Sequence, residues 1–75
     1  DESDILKDFL EERCIEDPQS VITNKELYQA YLDWSEENNE IKLTNKKFSI
    51  RLEEKGYRRS KSGSERRWIG IRLKE

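Results

Sequence analysis

The apolar residues of this chain change their spacing at Gly56, and that change restricts the folds open to it. Upstream they recur at helical intervals. Leu27, Ala30, Tyr31 and Trp34 follow an i, i+3, i+4, i+7 order, and Phe48 and Leu52 lie one turn apart. Downstream Ile69, Ile71 and Leu73 alternate every second residue, the period of a half-buried strand. Helices followed by strands, in only 75 residues, describe an α+β domain with one small core.

The first helix is predicted from a Ser3–Asp4 cap to about Cys14 or Ile15, with Ile5, Leu6, Phe9, Leu10 and Cys14 on one stripe. Asp17–Pro18 is expected to stop it, because proline disfavours helix in the residue before it. Ser20-Val21-Ile22 reads as a short strand. Thr23-Asn-Lys-Glu26 has the capping-box form, opening a second helix that ends near Glu36–Asn39. Tyr28 lies furthest from its apolar stripe and has base stacking as a minor alternative to core packing. Thr44 caps the third helix, and Gly56 supplies a left-handed stop. Two strands close the chain, about Tyr57–Lys61 and Arg66–Leu73, with Trp68 packing under them and Gly70 marking a bulge or a close backbone approach.

The expected fold is therefore a single domain over residues 1–75, a winged helix-turn-helix of three helices with a C-terminal two-stranded β-hairpin wing. The chain begins Asp-Glu-Ser without an initiator methionine, so a domain belonging to something longer is expected.

Charge is segregated along this order. Residues 1–40 hold thirteen acids against three bases, and residues 41–75 hold twelve bases against four acids. The formal net charge of −2 conceals a dipolar molecule. A polyanion is the expected partner of the basic half. On the third helix Asn45, Lys46, Lys47, Ser49, Ile50 and Arg51 are predicted to face duplex DNA. Arg58, Arg59, Lys61, Arg66 and Arg67 on the hairpin are predicted to clamp phosphates. Five neutralised phosphates would give log K a slope of about −4 to −5 against log salt. Glu53 and Glu54 oppose this reading at the C-terminal end of the helix. Lysines and arginines on an edge strand also discourage sheet aggregation, which alone would explain one or two of them.

Other chemistries have little to build on. There is no histidine, and Cys14 is the single cysteine, so neither an internal disulfide nor a Cys/His zinc site can form. Cys14 reads as a small core residue, its thiol pKa raised by the nearby Glu12 and Glu16. No cofactor is expected and the domain reads as non-catalytic. No apolar run approaches the roughly 20 residues of a membrane span, and a reducing, cytoplasmic setting is expected.

The set Phe9-Leu-Glu-Glu-Arg-Cys14, Leu27-Tyr28, Tyr31, Trp34, Phe48, Leu52, Gly56 and Arg67-Trp68-Ile-Gly70-Ile71-Arg-Leu73 resembles the C-terminal domain of phage and plasmid primase–helicases. That group includes the satellite-phage type of replication protein and the poxvirus primase–helicase. The resemblance implies a winged-helix DNA-binding module behind an ATP-driven helicase in the same chain, acting in DNA replication in the cytoplasm of a bacterial host. No Gly-x-x-x-x-Gly-Lys-Ser/Thr phosphate loop is present here, so ATP hydrolysis and primer synthesis would belong to upstream modules. The alternative is a protein-interaction winged helix whose acidic first half docks a replication partner.

Overall fold

The computed structural model describes residues 2–62 and 65–74, with the side chains of 2–4, 61, 62 and 65 outside the described set. The elements run α1 (Glu2–Arg13), β1 (Cys14–Thr23), α2 (Asn24–Glu37), α3 (Asn45–Glu54), β2 (Arg58–Ser62) and β3 (Glu65–Leu73). The fold is α+β, with three helices against one antiparallel sheet in the order β1-β3-β2. The two-stranded ribbon expected from the sequence is thus one side of a three-stranded sheet. The short strand anticipated at Ser20–Ile22 is the far half of a ten-residue strand.

That difference relocates Asp17–Pro18. The first helix has already ended at Arg13, and Asp17–Pro18 sits in a break in the β1–β3 register between Glu16 and Val21. Proline can stand there because a bulge asks no ladder hydrogen bond of it. Asp17 holds the bulge together by accepting from the Gln19 amide at 3.1 Å and the Ser20 hydroxyl at 2.9 Å. Those bonds, led by the amide, lower its carboxyl pKa. The Ser3–Asp4 cap is not where it was expected, because α1 already includes Glu2 and so takes Ser3 and Asp4 into its first turn; their side chains lie outside the described residues.

Opposite this bulge, β3 changes face. Trp68 and Ile71 are both buried, at 0% and 1% exposure, though a regular strand would turn residues three apart to opposite sides. Gly70, at φ +87°, makes the switch. The predicted Ile69/Ile71/Leu73 stripe is therefore broken. Ile69 is 37% exposed on the outer face, and Trp68 takes its place in the core.

The core joins Leu6, Phe9, Leu10 and Cys14 to Ile22, Leu27, Tyr31, Trp34, Leu43, Phe48, Leu52, Trp68 and Ile71. Phe9 meets Tyr31 edge-on at 5.5 Å between centroids, and Phe48 lies 5.1 Å from Tyr31. Tyr28 belongs to this cluster too. It packs on Phe48 at 5.3 Å and donates its hydroxyl to the Leu43 carbonyl at 2.7 Å. Tyr31 likewise donates to the Ile41 carbonyl at 2.6 Å. The two hydroxyls pin the connection between α2 and α3 against α2, and so fix where α3 begins.

The threonine caps read from the sequence are in place. Thr23 accepts from the Glu26 amide and Thr44 from the Lys47 amide, each at 3.2 Å. At the far end of α3, Gly56 has φ +98°. Its amide bonds to the Glu53 carbonyl at 3.0 Å, and that of Tyr57 bonds to the Leu52 carbonyl at 3.3 Å. This paired closure turns the chain directly into β2.

Candidate nucleic-acid interface

Three elements converge on Asn24, the first residue of α2. The residue is 8% exposed, and both its oxygen and its nitrogen are engaged. Oδ1 accepts the Trp68 indole N–H at 2.8 Å and the Ser49 hydroxyl at 3.3 Å. Nδ2 donates to Asn45 Oδ1 at 2.9 Å. One amide thereby fixes the start of α2, the first two turns of α3 and the central strand β3 to one another. Asn24 was not singled out from the sequence, where it reads as part of a capping box. Its partners lie 21 to 44 residues away, beyond any local pattern.

Around this hub lies an open groove of about 1500 Å³. Asn45, Lys46, Ser49 and Ile50 line its α3 wall, Arg59 and Arg66 its sheet wall, and Lys25, Glu26 and Gln29 its α2 wall. Six of the eleven residues predicted to meet DNA thus border one concavity. Lys25 was missed because it is one of only three bases among the thirteen acids of the first half of the sequence.

The strand register sorts the hairpin cations. Arg59 faces Trp68 and Lys61 faces Arg66, while Arg58 pairs with Ile69 and Ser60 with Arg67. Residues opposite one another share a face. Arg59 and Arg66 therefore stand on the helix side with Trp68, and Arg58 and Arg67 stand on the outer side with exposed Ile69. The expectation that all the hairpin arginines form one clamp is corrected on this point, because alternation along two paired strands divides them. Lys61 holds the register position opposite Arg66, but its side chain lies outside the described residues.

On α3 the helical turn makes a similar division. Lys46, Lys47 and Ile50 are exposed as predicted. Ser49 is 4% exposed and turned inward to Asn24. Its place at i+4 from Asn45 puts it on the stripe that meets α2 and β3. Arg51 is half-buried and pairs with Glu54 at 2.9 Å.

The two acids that opposed a DNA reading are engaged within the protein. Glu53 Oε1 lies 3.1 Å from an Arg59 guanidinium nitrogen, and Glu54 holds Arg51. Arg59 also lies over the Trp68 ring at 5.9 Å, within cation–π range. Arg59 thus ties the end of α3 to the sheet. Lys46 and Arg66 are exposed at the other end of the groove, and neither forms an ion pair with a described residue.

Cys14 lies outside this region, buried in the core, where desolvation pushes its thiol up to about 12 against a smaller opposing pull from Lys74. Burial, rather than the acids beside it in sequence, is the dominant cause. Among the described residues no cluster of ligating side chains could hold a metal ion, and no helix is long and apolar enough to cross a membrane.

A search of curated proteins found no match to the chain. A family model described as poxvirus D5 protein-like matches residues 1–67, which takes in all three helices, β1, β2 and the first three residues of β3. With nearly the whole fold inside that match, the chain belongs to the poxvirus D5 protein-like family, a family of primase–helicase-associated proteins.

Proposed function

We propose that the chain is a winged-helix module that binds duplex DNA for a primase–helicase, with a helicase elsewhere in the same polypeptide. The element order, with β1 joining the closing hairpin through β3, supports the winged-helix reading. On this reading α3 enters the major groove by its N-terminal half, and the helix-side face of the hairpin rests on the adjoining backbone. Catalysis by the parent protein belongs to other modules.

The observation that carries the proposal is the convergence of Lys46, Arg66 and Lys25 on one open groove, in which Glu53 is paired with Arg59 while the α2 wall also carries the acids Glu26 and Asp33. Asn45 adds a polar group at the positive end of α3. Arg58 and Arg67 belong to the other face and contribute only long-range attraction.

Fluorescence anisotropy of a labelled duplex across a salt series tests this. The double variant Lys46→Ala/Arg66→Ala is expected to bind weakly and to reduce the salt slope by about 2, near 0.9 for each lost phosphate contact. Arg58→Ala/Arg67→Ala is expected to keep most of the slope. Equal losses from the two pairs would remove the groove from the proposal. No duplex binding by the unaltered chain at low salt would end the DNA reading and favour protein docking.

A further inference from the structure

Four large apolar side chains are exposed among the described residues, and three of them avoid the groove. Ile41 belongs to the connection between α2 and α3, while Val21 and Ile69 are register partners on the outer face of the sheet. The fourth, Ile50, is 42% exposed on the groove wall of α3. It sits one turn after Lys46, and Glu53, paired with Arg59, lines the same groove one turn further along α3. An apolar side chain thus stands partly exposed between charged residues on the groove wall.

Resting on the DNA reading above, we infer that Ile50 reads thymine through its 5-methyl group. The major-groove edge of a base pair presents hydrogen-bonding atoms and one apolar group, the thymine methyl. A side chain with no donor or acceptor can distinguish bases there only by that methyl. Isoleucine suits the task because branching at Cβ leaves one strongly preferred χ1 rotamer in a helix, so its methyl groups hold a fixed position. The backbone beneath it is held as well, since the next residue inward, Ser49, is anchored to Asn24. Lys46 then contributes attraction to phosphate or to a neighbouring base, and Ile50 contributes the preference for A·T pairs.

Uracil in place of thymine removes the methyl and leaves the base-pairing atoms unchanged. The unaltered chain is titrated onto a duplex of alternating A·T pairs and onto the same duplex with uracil for thymine. Loss of one buried methyl contact corresponds to about three- to fourfold weaker binding to the uracil duplex. Ile50→Ser is expected to bind both duplexes equally, at the lower affinity. Its position at the surface makes that substitution compatible with folding, which circular dichroism checks. Equal binding of the two duplexes by the unaltered chain would overturn the inference and leave the DNA reading standing. So would a thymine preference that survives in Ile50→Ser. Binding to neither duplex at low salt would overturn both.

Discussion

Replacing Asn24 with alanine removes the single side chain that joins α2, α3 and β3. Two buried donors lose their acceptor, the Trp68 indole N–H and the Ser49 hydroxyl. The indole has no rotational freedom to find another partner on a fully buried residue, and an unsatisfied buried donor costs about 1–3 kcal/mol. The serine hydroxyl can swing to the carbonyl one turn earlier, so its loss adds only a few tenths. The bond to Asn45 adds about 0.5–1 kcal/mol, as an ordinary hydrogen bond near the surface. The expected loss is about 2–4 kcal/mol, a large part of the 5–15 kcal/mol typical of a whole domain. At about 4–8 °C per kcal/mol for a chain of this size, Tm should drop by about 8–30 °C. Urea unfolding followed by tryptophan fluorescence gives the free energy, and the exchange rate of the Trp68 indole proton reports the lost bond directly. Asn24→Asp keeps both acceptor positions at the start of a helix, where negative charge is favoured, and should cost less than alanine. A variant Asn24→Ala within about 0.5 kcal/mol of the parent, with an unchanged indole exchange rate, would refute the hub.

Three other expectations follow from the same geometry. Gly56→Ala forces a side chain into φ +98° and should cost about 1–2 kcal/mol in urea unfolding, even though the space around it is open. Glu53→Gln releases Arg59 from its carboxylate partner, so duplex affinity should rise and the salt slope should steepen by about 1; an unchanged slope would mean that Arg59 never reaches phosphate. The Cys14 thiol, raised from 9.0 to about 12, keeps its proton in the folded chain at pH values where the unfolded chain releases it. Stability should be level below about pH 9 and decline from there toward pH 12, and Cys14→Ala should lessen that decline. The Tyr57 hydroxyl, also raised by burial and by Glu16, leaves a residual slope of the same sign. Alkaline denaturation curves of parent and variant measure the difference.

Local signals determined much of this molecule. Thr23 and Thr44 cap their helices because a hydroxyl one turn ahead of free amides needs nothing distant. Gly56 ends α3 because only glycine enters that backbone region without strain. The helical stripes named the aromatic core, and the charge count located the basic half. Tertiary structure decided the rest, wherever an outcome depended on which strand lies beside which. The extent of β1 was hidden because its partner β3 comes some fifty residues later, and because the Asp17–Pro18 bulge interrupts the alternation that would have marked it. The Gly70 switch put Trp68 rather than Ile69 in the core. Strand pairing divided four hairpin arginines that sequence could only count together, Arg59 and Arg66 toward the helices and Arg58 and Arg67 away. Asn24 became the hub of the groove through contacts that close only when α2, α3 and β3 meet. A sequence fixes local periods and caps through neighbouring atoms, whereas the direction of a strand side chain is set by its pairing and by any residue inserted into that pairing.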